Sequence, residues 1–230
     1  MRKALRLASA LGLTLAACSV AGPAYAGGGV TATAQADGSC AVSGQSSGAA
    51  QAYQVNLPDC TVSAAPAIAV KTRAGMARQN ASARGDASGS VLGNAIFRRT
   101  VRHTLDIVNQ NSFLEVRDVA QLRWLYDGFH VGAVGSQRPR CSFARAWYNP
   151  LWDISGIANR CLVNSSQTVA TAQSASRYNS PGPNYFCPNF LPTQILIGYH
   201  RIFGYYDGSF QFDWGVRFSG ACRTSLFVIA

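Results

Sequence analysis

The acid–base capacity of this 230-residue sequence rests on three histidines, His103, His130 and His200, one glutamate, Glu115, and nine aspartates. General acid–base catalysis needs such groups within hydrogen-bond reach of one another. None falls in a local catalytic pattern: H-E-x-x-H, G-x-S-x-G, the Walker loop and G-x-G-x-x-G do not occur. A hydrolytic centre in this chain would have to be assembled from distant positions. The best such grouping lies near the C-terminus. Asp207-Gly208 suits a two-residue type I′ turn. After it, Phe210, Phe212, Trp214, Val216 and Phe218 alternate with Gln211, Asp213, Gly215, Arg217 and Ser219. A two-residue turn sets Phe210 opposite Tyr205, Phe212 opposite Phe203, Trp214 opposite Arg201 and Val216 opposite Tyr199. His200 then falls on the outer face, opposite Gly215 and diagonal to Asp213 and Arg217. A carboxylate can orient an imidazole and a guanidinium can hold an anion, so these three are catalytic candidates. They also suit ordinary cross-strand pairing. His130 follows Gly128-Phe129 at an element boundary, where functional side chains collect, and is the fourth candidate.

Binding chemistry has two candidate tracts. Tyr178, Tyr185 and Phe186 flank the loop Pro181-Gly182-Pro183-Asn184, where exposed rings would stack on sugars or enter a partner. Arg98, Arg99 and Arg102 form a short basic run suited to anions. Arg201 opposite Trp214 suggests a cation–π contact. Six cysteines, Cys40, Cys60, Cys141, Cys161, Cys187 and Cys222, follow Cys18. No C-x-x-C pair occurs and no histidine is close to a cysteine in sequence, so neither a metal nor a cofactor is expected. Disulfides are expected instead, the simplest pairing being Cys40–Cys60, Cys141–Cys161 and Cys187–Cys222.

The elements that must position these residues are read from periodicity. Phe97, Val101, Leu105 and Val108 fall on one stripe, with Arg98, Arg99, Arg102, Asp106 and Asn109 opposite. This predicts an amphipathic helix over Asn94–Gln110 with a basic outer side and His103 at its edge; some period-2 alternation over Thr100–Val108 leaves a strand as the lesser reading. Ser112-Phe113-Leu114-Glu115 reads as a capping box that opens a second helix, Phe113 to Asp127, stopped by Gly128. From Phe129 onward, aromatic and β-branched residues predict strands, ending with Ser225–Ile229. The expected fold is α+β: two helices packed on an antiparallel sheet. Residues 27–90, rich in Ala, Ser and Gly, read as a disulfide-clipped N-terminal region with a linker over Thr72–Ser90, and 91–230 as the α+β domain.

Residues 1–26 have the form of an export signal. Arg2, Lys3 and Arg6 precede the uncharged run Leu7–Ala17, which is too short for a transmembrane helix. Ala24-Tyr25-Ala26 offers a cleavage site after Ala26. Leu15-Ala16-Ala17-Cys18 offers the alternative, in which a lipidated Cys18 tethers the chain to the cell envelope. Removing residues 1–26 takes away three of 20 basic residues and none of ten acidic ones, which lowers the net charge from +10 to +7. The sequence thus points to a secreted, disulfide-stabilised binding protein for an anionic polymer or polysaccharide. A small metal-independent ribonuclease-like hydrolase and a secreted toxin or inhibitor are the alternatives.

Overall fold

The computed structural model describes residues 29–46, 48–72, 90–92, 96–131, 138–148, 152–180, 194–219 and 225–230. Every regular element among them is a strand: β1 Thr31–Ala34, β2 Cys40–Ser46, β3 Ala52–Asn56, β4 Thr61–Ala65, β5 Ser90–Leu92, β6 Ile96–Asn109, β7 Leu114–Tyr126, β8 Arg140–Trp147, β9 Asp153–Val163, β10 Val169–Ser180, β11 Gln194–Tyr205, β12 Phe210–Ser219 and β13 Ser225–Ile229. The first sheet runs β1-β2-β12-β11-β10-β9. The second runs β4-β3-β13-β6-β7-β8, with the short β5 added to β6. All strand pairs are antiparallel. The sheets pack face to face, with β6 and β7 against β10, β11 and β12, and the edges approach each other where β1 meets β4 and β8 meets β9. Residues before 66 contribute to both sheets, because β2 pairs with β12 and β3 with β13.

The α+β expectation is overturned: both predicted helices are strands of one long hairpin, β6–β7. The physical reason lies in the inward face. Phe97, Val101 and Leu105 are four residues apart, a spacing that fits either a helical stripe or every second residue of a strand face. The intervening positions on that face, Arg99 and His103, are polar and disguise the period of two. Ile96, Thr100, Val101, Thr104, Ile107 and Val108 are β-branched, and such side chains lose little freedom in a strand. The predicted capping box is the turn of this hairpin. Ser112 has a positive φ of 65°, the Asn109 Oδ1 accepts the amides of Asn111 and Phe113, and Glu115 is buried under Trp152.

Two disulfides clip the sandwich. Cys141–Cys161 joins the edge strands β8 and β9, with Cα atoms 5.8 Å apart. Cys40–Cys60 ties β2 to the turn before β4, with Cα atoms 5.3 Å apart. Cys18, Cys187 and Cys222, the export segment, nearly all of the predicted linker, and the loop carrying Tyr185 and Phe186 lie outside the described residues.

The hairpin β11–β12 also differs by one residue, with large consequences. Tyr205 N–H bonds to the Ser209 carbonyl, and Gly208 N–H to the Tyr205 carbonyl. The loop is therefore Tyr206-Asp207-Gly208, three residues, with Gly208 at φ 82°, a left-handed conformation that glycine adopts without a Cβ penalty. Phe210 pairs with Gly204, Phe212 with Ile202, Trp214 with His200 and Val216 with Gly198. A one-residue slip turns every side chain to the other face. His200 goes into the core, and Tyr199, Arg201, Phe203 and Tyr205 go outward. Arg201 does not meet Trp214. It lies 3.4 Å from Asp213.

Candidate functional site

The core between the sheets is divided by a polar layer. On β6, His103 separates Val101 from Leu105; on β7, Asp118 separates Val116 from Ala120. On β10, Ser174 and Ser176 separate Ala172 from Tyr178; on β11, Gly198 and His200 separate Leu196 from Ile202. In each case the two flanking residues belong to different apolar clusters, while His103, Asp118, Ser174, Ser176 and His200 are themselves buried. Four strands contribute at one level, so the layer follows directly from the registers.

Its two halves meet across the sheets. His103 Nδ1 lies 3.1 Å from His200 Nδ1, and the His103 ring packs on Phe212, with centroids 4.7 Å apart. Among the described residues neither Nε2 has a hydrogen-bond partner. Arg145 reaches in from β8 and donates to Ser176 Oγ, to Ser174 Oγ at 2.6 Å and to Asn159 Oδ1. Its Nε lies 3.9 Å from Asp118 Oδ1, which accepts the Tyr178 hydroxyl. Burial lowers His103 to about 4. Burial, then the nearby His103 and Arg145, lowers His200 to about 3. Burial raises Asp118 to about 6 against the opposing Tyr178 bond and Arg145 charge, and the Tyr178 hydroxyl is raised by burial and by that carboxylate. Both imidazoles are therefore neutral at pH 7, and one Nδ1–H donates to the other Nδ1. A second buried carboxylate, Glu115, accepts from Asn109 Nδ2 at 2.7 Å and Trp152 Nε1 at 3.1 Å. No grouping of three or more His, Cys, Asp or Glu that could hold a metal occurs among the described residues.

The structure separates the residues proposed for catalysis. His200 is fully buried and His103 is 4% exposed, so neither meets solvent. Asp213 and Arg217 lie on the opposite, outer side of the first sheet. Asp213 faces Arg201, and Arg217 binds Asp37 and donates to Ser39 Oγ at 2.8 Å. Burial raises the Asp213 pKa, while the Arg201 charge opposes the rise. His130 sits on a surface turn, 3.6 Å from Asp127. Tyr178, expected to be an exposed binding aromatic, is a wholly buried member of the polar layer.

Strand parity also splits the arginine run. Arg99 faces inward at the end of the sandwich, stacks over the Phe210 ring at 4.7 Å and donates to the Gly208 carbonyl. Arg98 and Arg102 face outward with Thr100. Opposite them on β7 lie Leu125, Arg123 and Gln121, and Arg123 is itself opposite Arg140 on β8. Arg102, Arg123 and Arg140 are exposed and Arg98 is half-buried. Among the described residues no carboxylate pairs with Arg98, Arg123 or Arg140. The other half of this outer face is covered. There Val108, Leu114, Ala146 and Tyr148 pack with Val70, Phe227 and Ile229, under the stretch in which Lys71 bridges to Phe113. Arg123 and Arg140 escaped the sequence reading because they belong to the face only once the strands and their registers are known. No protein-family model, curated protein or solved structure matches this chain.

Proposed function

We propose that this chain is an exported binding protein that recognises an anionic polymer through the arginine-bearing outer face of its second sheet. The observation that carries the reading is Arg123 directly opposite Arg140, with Arg98 and Arg102 on the neighbouring strand. Like charges directly across a sheet are destabilising, and an anion laid over them removes that cost. A fork of donors on each guanidinium suits carboxylate, sulfate or phosphate groups. The buried polar layer and the disulfides hold the strands that set the spacing of these arginines. Two disulfides suit an oxidising compartment, and the basic-then-apolar N-terminal segment suits export. No helix among the described residues is long and apolar enough to cross a membrane.

The ribonuclease-like alternative draws on the convergence of His103, His200 and Arg145, and the burial of both histidines weighs against it. Titration of the full chain with heparin, a sulfated polysaccharide, and with inorganic polyphosphate tests the binding reading. Both probes are expected to bind, with affinity falling as salt rises. The double substitution Arg123→Gln, Arg140→Gln is expected to reduce the slope of log affinity against log salt by about 1.5, at under one counterion per lost contact. Unchanged affinity and slope in that variant would overturn the proposal.

A further inference from the structure

The outer face of the first sheet carries a different chemistry from the arginine face. Along β11, Tyr199, Arg201, Phe203 and Tyr205 point outward, between the buried His200, Ile202 and Gly204. Across the strands, Gln45 on β2 is opposite Asp213 on β12, Asp213 is opposite Arg201, and Arg201 is opposite Gln173 on β10. The row ends at Arg160 on the edge strand β9. Tyr199 lies on one side of this polar row and Phe203 on the other, each two residues from Arg201, about 7 Å along the strand. Contacts tie the rings and the row together. Arg201 lies 3.4 Å from Asp213, and its guanidinium is 5.7 Å from the centre of the Phe203 ring. Gln211 Nε2 donates to Asp213 Oδ1 at 3.2 Å, and the Tyr205 hydroxyl donates to Gln211 Oε1 at 3.3 Å. Gln45 also reaches the Asp213 carboxylate. Tyr199 lies across Gly215 on β12, where an added Cβ would come within 2.5 Å of its hydroxyl oxygen; the missing side chain lets the ring settle against the sheet. The three rings are half-buried.

Charge and the mix of groups decide what such a face holds. On this side β11 and β12 present two arginines, Arg201 and Arg217, and each meets a carboxylate, Asp213 and Asp37. A guanidinium already paired has little to offer a polyanion. The centre of the face therefore suits an uncharged ligand, in contrast to Arg98, Arg123 and Arg140 on the second sheet. Glutamine, aspartate and arginine side chains side by side supply planar donors and acceptors, and neighbouring sugar hydroxyls do both. Aromatic rings supply rigid, weakly polar area that takes the C–H face of a pyranose. An interface between two copies of the chain would instead place its charges at the rim and its apolar side chains at the centre. Here an ion pair and amides hold the centre, and the rings flank them.

We infer that the outer face of the first sheet binds a neutral oligosaccharide, which stacks pyranose rings on Tyr199 and Phe203 and hydrogen-bonds through its hydroxyls to Gln173, Arg201 and Asp213 between them. This site is separate from the arginine face and goes beyond the function proposed above. Calorimetric titration of the full chain with cellohexaose and with chitohexaose, two uncharged β-linked chains, tests it. At least one is expected to bind, with the same affinity at low and high salt. Tyr199→Ala and Phe203→Ala are each expected to weaken that binding about tenfold. Gln173→Ala, an outward change that removes an amide and no ring, is expected to weaken it about fivefold. All three variants are expected to bind heparin as the wild type does. Absence of binding for both sugars overturns the inference, as does binding that falls with rising salt or that survives all three substitutions. Sedimentation that shows a wild-type dimer, dissociated by Tyr199→Ala, also overturns it, because the face then belongs to a second copy of the chain. None of these outcomes touches the arginine face, which stands or falls on its own titration with heparin.

Discussion

The histidine pair makes this protein's stability sensitive to mild acid. Both imidazoles are neutral in the folded state and titrate at their ordinary value, 6.5, when the chain unfolds. Above that value both states are neutral and the pair carries no pH-dependent term. As pH falls below it, the unfolded chain takes up protons that the folded state refuses until about 4 for His103 and about 3 for His200. Moving from pH 7 to pH 5 therefore costs about 2 kcal/mol of stability for each histidine. Asp118 acts in the opposite direction. Its folded value of about 6 exceeds the ordinary 3.8, so the folded state takes up its proton first and regains about 1 kcal/mol over the same interval. The lowered carboxylates of Asp37, Asp127 and Asp207 lose their contributions only below their ordinary value of 3.8, outside this window. The net loss is about 3 kcal/mol, a large share of the 5–15 kcal/mol of an ordinary domain. Urea unfolding at pH 7, 6 and 5, followed by tryptophan fluorescence, measures it through the midpoint at constant m. In the double variant His103→Leu, His200→Leu the histidine cost disappears, and stability should rise slightly from pH 7 to pH 5 through the raised carboxyls of Asp118 and Asp213. A flat wild-type profile, or the same loss in the double variant, would refute the reasoning.

Further outcomes follow from packing and covalent ties. An alanine at Gly204 would place its Cβ 2.6 Å from the ring of Trp124, which is buried and hydrogen-bonded to the Tyr205 carbonyl; Gly204→Ala should cost about 1–3 kcal/mol in urea unfolding. Replacing Cys141 and Cys161 together by serine frees a loop with a sequence separation of 20 and should cost about 3 kcal/mol, read as a lowered urea midpoint under non-reducing conditions. Tyr178→Phe removes the hydroxyl that Asp118 accepts and should cost about 1–3 kcal/mol at pH 8, where that carboxylate is ionised. The cost should shrink at pH 5, where Asp118 holds its own proton.

Much of the strand content was legible, and the architecture was not. The Cys40–Cys60 and Cys141–Cys161 pairs were readable from their equal spacing, and Ser225–Ile229 and the aromatic alternation of Phe210–Phe218 marked real strands. The helix error has one cause. Sequence patterns mark a buried strand by apolar residues at every second position, but here the inward positions carry His103, Asp118, Ser174, Ser176 and His200. A polar layer inside a sandwich removes the signal that would have revealed it. The hairpin error was smaller in sequence and larger in effect. Asp207-Gly208 fits a two-residue turn as well as the end of a three-residue loop, and that one residue decides whether His200 faces solvent or the core. The arginine face was half visible as Arg98 and Arg102, while Arg123 and Arg140 joined it only through pairing between strands.

The claim that matters most is that this outer face is the binding surface. Nuclear magnetic resonance of the arginine Nε–Hε groups, recorded while the full chain is titrated with heparin-derived oligosaccharide, reports on each guanidinium separately. The account predicts that Arg98, Arg102, Arg123 and Arg140 shift together and saturably, while Arg160, Arg177, Arg201 and Arg217 on the other sheet stay in place. Shifts confined to the first sheet, or none at concentrations where the probe binds, would contradict it.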